Sequence, residues 1–130
     1  MQINILMNAG IFGLLAVVLG AFGAHGLKPL LSSDMLAAYE TGIRYHFYHT
    51  VVLLVLGFVS QSSDKLVQRA ATFFTLGIIL FSGSLYGLAL SSINGNVWSW
   101  LGPVTPIGGL CFMTGWVFIF LFASKKNKNV

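Results

Sequence analysis

Two histidines three residues apart, His46 and His49, and a third at His25 are the side chains best equipped for chemistry in this chain. Positions i and i+3 share a helix face, so His46 and His49 would present both imidazoles to one metal ion or haem. Such a centre needs a third or fourth donor, and no recognised ligand spacing is present. His25 is the one candidate. Cys111 falls inside a long apolar run and has no second cysteine to pair with. Hydrogen-bonded structural histidines are therefore expected, with no metal and no cofactor. No serine or cysteine stands in a motif with a base and an orienting group, so no catalytic residue is assigned and an enzyme is not expected. Glu40 and Arg44 form an i,i+4 acid-then-base pair, the favourable order on a helix. At a membrane boundary its expected role is mutual neutralisation, because a lone charge at the bilayer centre costs at least ~2.5–3.5 kcal/mol.

The elements that carry these residues follow from where charge is missing. Of 130 residues, 56% are hydrophobic and 8% charged, against ~25% charged in a soluble domain. Mean hydropathy is +0.84. That composition excludes a disordered chain, a basic nucleic-acid-binding domain and a disulfide scaffold. Charge-free runs of 27, 19 and 55 residues precede Lys28, separate Arg44 from Asp64, and separate Arg69 from Lys125. About 20 helical residues cross a ~30 Å hydrocarbon core. The first two runs each hold one crossing, and the third holds two, joined at Ser91–Asn96 by an Asn-Gly turn. Trp98 and Trp100 suit the headgroup level, and Pro103 and Pro106 suit a helix's first turn. The expected fold is an all-α, membrane-spanning four-helix bundle. Residues 1–130 form a single transmembrane domain, with spans at about 3–24, 43–60, 70–91 and 103–123. The first is read as a retained span, since no Lys or Arg precedes it and it exceeds the usual ~7–15 apolar residues of a cleaved leader.

Lys65, Arg69, Lys125, Lys126 and Lys128 fall on one side of such a bundle, and Lys28 and Arg44 on the other. The positive-inside rule then places both termini in the cytoplasm of a plasma or inner-membrane protein. The net charge of +4 is an orientation signal rather than a nucleic-acid surface.

In this orientation nearly all the polar side chains near the membrane converge on the outer leaflet, and the cytoplasmic half has little comparable. The cluster comprises His25 at the end of span one and Glu40, Arg44, Tyr45, His46 and His49 at the start of span two. Ser82, Ser84 and Tyr86 on span three and Thr105 on span four complete it. Ser33 or Asp34 would cap a helix running unbroken into span two, or residues 29–41 would form a separate surface segment. Small residues supply packing slots, because close approach drives helix association in lipid. These are Gly13, Ala16, Gly20, Gly23 and Ala24 in span one, Gly83, Gly87 and Ser91 in span three, and Gly108, Cys111 and Gly115 in span four. Trp116, Phe118, Phe120 and Phe122 are expected to face lipid or a neighbouring subunit.

Five blocks then stand in order. They are Gly20-Ala21-Phe22-Gly23-Ala24-His25-Gly26-Leu27, Glu40-Thr41-Gly42-Ile43-Arg44-Tyr45 with Tyr48-His49, and Leu80-Phe81-Ser82-Gly83-Ser84-Leu85-Tyr86. Gly102-Pro103-Val104-Thr105-Pro106-Ile107-Gly108-Gly109 and Gly115-Trp116 close the series. The chain resembles the small bacterial membrane-protein family called domain of unknown function 423, itself related to a eukaryotic transmembrane family. That resemblance implies a four-span inner-membrane protein and no established activity. The family often carries glutamine at the position of His46, which weakens a metal site on the 46/49 pair. The shared constellation is then His25, Glu40, Arg44, His49, Ser82, Ser84, Tyr86 and Thr105.

Two functional readings stand. In the first, the outer cluster binds or passes a small polar group, such as a lipid headgroup, a proton or a small solute. A carboxylate-driven drug exporter is disfavoured because span one carries no acid. In the second, the cluster ties helices together and the glycine stripes dock a second copy or another membrane protein. Membrane lipid is the expected partner in either case, and nucleic acid is not.

Overall fold

The computed structural model describes residues 2–59 and 64–127. Helix α1 spans Gln2–Phe22 and runs on through a π-helical turn at Gly23–Leu27. Helix α2 spans Ser33–Val59, and α3 spans Lys65–Gly77. A second π turn at Ile78–Ser82 leads directly into α4 at Gly83–Ser92. A short 3-10 turn at Ser99–Leu101 precedes α5 at Val104–Asn127. Four rods result, of 24, 27, 28 and 29 residues, each long and apolar enough to cross a membrane. Among the described residues there is no strand. The order is up-down-up-down, as short connections between antiparallel neighbours require.

The four expected spans are all present, but the second is longer than its apolar part. α2 starts at Ser33, so residues 33–41 continue the helix rather than forming a separate segment. Its cap is Ser32, whose Oγ accepts the Met35 amide at 3.4 Å, not Ser33 or Asp34. At the opposite end Asp64 caps α3 by accepting the Leu66 amide at 2.8 Å. The other Asp64 oxygen is 3.5 Å from Lys125 Nζ, which ties the start of α3 to the end of α5.

Packing follows the small residues. Ala9 and Ala16 are buried on α1, and Gly13 and Gly20 approach Thr50 and Ile43 of α2. At Gly23 the Tyr39 ring fills the space a side chain would need. On α5, Gly108 lies directly against the backbone of Phe81, and Gly115 against the Phe74 ring. Gly77 of α3 receives Phe112 in return. These contacts enclose a core of Ile5, Leu53, Leu56, Val67, Phe74, Ile78 and Phe112. A smaller cluster of Leu27, Tyr39 and Ala89 sits at the other end. Two expected slots stay open: Ala24 is exposed, and nothing lies within 4 Å of a side chain built at Gly83. Outward positions such as Leu14, Val17, Leu110, Met113 and Phe120 are exposed and apolar, the surface that acyl chains solvate.

Candidate functional site

The expected polar cluster divides into an exposed set and three buried groups. His25, in the first π turn, is exposed, as are Glu40 and Arg44 on α2. Glu40 and Arg44 do not form the anticipated ion pair. Arg44 Nη2 instead donates to Thr41 Oγ1 at 2.9 Å, and Thr41 donates back to the Ala37 carbonyl at 2.9 Å. Exposure removes the need for neutralisation, because both charges keep their access to water or headgroups. Among the described residues the ion pair is the one between Asp64 and Lys125.

The first buried group joins α4 to α5. Ser84 Oγ and Thr105 Oγ1 are 2.7 Å apart. Ser84 spends its one proton on the Phe81 carbonyl at 2.9 Å, so Thr105 is the donor between them. The second group joins α2 to α5. His49 Nδ1 lies 2.8 Å from the Tyr45 carbonyl, which only accepts, so Nδ1 carries the proton. Nε2 is then a lone pair, and Trp116 Nε1 donates to it at 3.3 Å. The imidazole stacks on Phe112 at 3.6 Å, and Tyr45 leans on Phe81 at 4.7 Å. His49 is neutral, fixed in tautomer and fully engaged. Trp116 therefore does not simply face lipid: the residue is about half exposed, while its N–H points inward to His49. Phe118 and Phe122 likewise pack against the core.

The third group centres on His46, the middle residue of α2 and 3% exposed. Its Nδ1 lies 3.1 Å from the Tyr86 hydroxyl. Its Nε2 is buried beside the Phe12 turn of α1 and meets no partner at hydrogen-bond geometry. Ser82, fully buried in the second π turn, lies close to Tyr86, and its Oγ too has no partner at hydrogen-bond geometry. Beyond them, Tyr39 packs at a tilt against Tyr86, with centroids 5.0 Å apart, and donates to the Leu19 carbonyl at 2.7 Å. The two π turns thus flank a polar layer through α1, α2 and α4, as π turns often do at functional positions. An apolar pair of the same shape would cost nothing here, whereas each unpaired buried polar atom costs ~1–3 kcal/mol.

The structure therefore brings together Tyr45 with His49, Ser84 with Thr105, and Ser82 with Tyr86. It leaves His25, Glu40 and Arg44 outside these groups. Tyr39 and Trp116 stand outside the expected cluster, and His46, named in it but set apart by the family pattern, centres the third group. The i,i+7 spacing of Tyr39 and His46, two turns along one face of α2, was the available signal for Tyr39. Among the described residues no three His, Cys, Asp or Glu side chains gather as a metal would require.

Comparisons with known proteins place this arrangement. The pattern of the family described as "Protein of unknown function (DUF423)" matches residues 19–109. The chain is 41% identical to the UPF0382 membrane protein YwdK of Bacillus subtilis over 127 residues, 96% of this chain and 98% of that protein. It is 37% identical to a UPF0382 membrane protein of Haemophilus influenzae over 118 residues, covering 91% and 90% of the two chains. It is 38% identical to the UPF0382 inner membrane protein YgdD of Escherichia coli over 127 residues, covering 96% and 93%. No solved structure matches the chain.

Proposed function

The chain belongs to the DUF423 family of membrane proteins, and from that premise we propose that it binds and hands on a small polar group, a proton or a water molecule, at His46, Tyr86 and Ser82. One observation carries this reading. Two fully buried polar atoms, His46 Nε2 and Ser82 Oγ, flank a histidine–tyrosine contact between two membrane-spanning rods. A neutral imidazole takes a proton at one nitrogen and releases it at the other, and the Tyr86 hydroxyl beside Ser82 continues the path toward α4. In a membrane, groups of this kind default to function because their burial is costly. His25, Glu40, Arg44 and Tyr45 lie toward the outer end and serve as the polar mouth of that path, with both termini in the cytoplasm.

Proton flux into vesicles loaded with a pH-sensitive dye is the test. Wild-type protein should exceed protein-free vesicles, and His46→Phe and Tyr86→Phe should return flux to background while preserving the aromatic packing. Equal flux for wild type and His46→Phe sinks the proposal.

A second reading, a structural or accessory subunit, is favoured by the two closed pairs, Ser84 with Thr105 and His49 with Trp116. Those contacts fasten α5 to its neighbours and leave no free donor for a ligand. Retrieval of a stoichiometric membrane partner or a defined homo-oligomer in mild detergent would support that reading.

A further inference from the structure

The lysine-bearing end of the bundle holds a second polar assembly, remote from the His46 layer. A groove of about 650 Å³ opens between α1 and α3, inside the ~300–1,000 Å³ range of small-molecule sites. Ile5 and Leu53 supply an apolar floor. Asn4 and Asn8, one turn apart on α1, line one wall, and Gln68 and Thr72, one turn apart on α3, line the other. Lys65 and Arg69 add two positive charges.

The charge there is uncompensated. Of the chain's three acidic residues, Asp34 and Glu40 belong to the opposite end of α2. Asp64 is held by Lys125 at 3.5 Å, so it does not cancel Lys65 or Arg69. Arg69 also lies over the Phe118 ring at 5.9 Å, which limits its freedom to swing away. Helices α1 and α3 both begin at this end, so their positive dipole ends point the same way. Two apolar rods start here, at Asn4 and Lys65, which puts the groove where headgroup gives way to hydrocarbon.

We propose that this groove seats an anionic phospholipid. Lys65, Arg69 and the Asn4 and Asn8 amides hold the phosphodiester, and the first part of an acyl chain runs over Ile5 and Leu53. A soluble phosphate has no use for the apolar floor, and a zwitterionic lipid brings its own cation against the two charges.

Native mass spectrometry of the full chain, released from nanodiscs holding equal phosphatidylglycerol and phosphatidylcholine, tests the assignment. Wild-type protein should retain one phosphatidylglycerol, enriched about thirtyfold over phosphatidylcholine, as two basic groups near a membrane surface provide. The K65Q/R69Q variant should bring enrichment near one. K126Q removes a positive charge from the same end outside the groove, keeps Asp64 paired with Lys125, and should leave enrichment intact. Asn8→Leu, at an exposed position, should expel the lipid with both charges still in place, and it carries the test if K65Q/R69Q fails to fold. Equal retention of the two lipids by wild type overturns the proposal. So does equal loss in K126Q and K65Q/R69Q, or displacement of phosphatidylglycerol by millimolar inorganic phosphate.

Discussion

The imidazole of His49 lies flat on the ring of Phe112, with centroids 3.6 Å apart and planes 10° from parallel. This contact joins the second and last rods at mid-length and explains the difference between the two histidines. His49 is clamped, with one nitrogen on the Tyr45 carbonyl and the other under Trp116. His46, three residues earlier, faces α1 and α4 with one nitrogen on Tyr86 and the other unpaired. The i,i+3 spacing that suggested a shared ligand instead directs the rings into two separate interfaces.

The His49 clamp makes a quantitative prediction. Trp116→Phe keeps an aromatic ring but removes the donor, leaving His49 Nε2 without a partner. Interhelical hydrogen bonds in membranes contribute ~0.6 kcal/mol on average and ~1.7 at most. Reversible unfolding in mixed micelles should therefore show a loss within that range. Wild-type stability would mean that the 3.3 Å contact contributes nothing.

Ser84 and Thr105 should behave as a coupled pair. With Thr105 donating and Ser84 donating onward to the Phe81 carbonyl, Ser84→Ala and Thr105→Val each remove the same interhelical bond. A double-mutant cycle should give a coupling of about 0.5–1 kcal/mol, with the double variant little worse than either single one. Strictly additive losses would show that the hydroxyls act separately.

The four rods were legible because charge is so costly in hydrocarbon that its absence alone outlines the spans. The helical stretch from Ser33 to Gly42 was less legible. Its Asp34 and Glu40 mark it as lying outside hydrocarbon, and hydropathy reports the solvent of a helix rather than its length. The polar cluster was legible as composition but not as partnership. Which hydroxyl meets which imidazole depends on how the rods pack, and no local motif announces the two π turns at Gly23–Leu27 and Ile78–Ser82. The polar groove at the other end went unread, although its walls are two i,i+4 pairs, Asn4 with Asn8 and Gln68 with Thr72. Both sit beside ordinary-looking wet ends, which is why the inner half read as bare.

Two glycines of similar appearance should respond in opposite ways. A methyl group at Gly108 would fall on the backbone of Phe81, which has no rotamer to escape into. Gly108→Ala must push α5 outward and should destabilise by about 1–3 kcal/mol, as overpacking does. At Gly83 a methyl group meets nothing within 4 Å, and alanine is the better helix former by ~1 kcal/mol. Gly83→Ala should leave the midpoint of thermal unfolding in detergent unchanged or raised. A tolerated Gly108→Ala would mean that the second π turn and α5 are not in backbone contact.

Orientation is the remaining expectation open to direct measurement. Lys65, Arg69, Lys125 and Lys126 belong to one end, and Lys28 and Arg44 to the other. Insertion retains the more basic flanks in the cytoplasm. In a Cys111→Ala background, which removes the chain's single native thiol, a cysteine at Asn96 should react with an impermeant maleimide on intact cells. A cysteine at Lys126 should react only after permeabilisation. The Asn96 site is a fair reporter because it is exposed and lies between α4 and the 3-10 turn, away from every interhelical bond described above. Labelling in the reverse pattern would place the Lys65 and Arg69 groove in the outer leaflet and turn the His25 end toward the cytoplasm. That result would invert the direction of any path through His46 while leaving its hydrogen bonds unchanged.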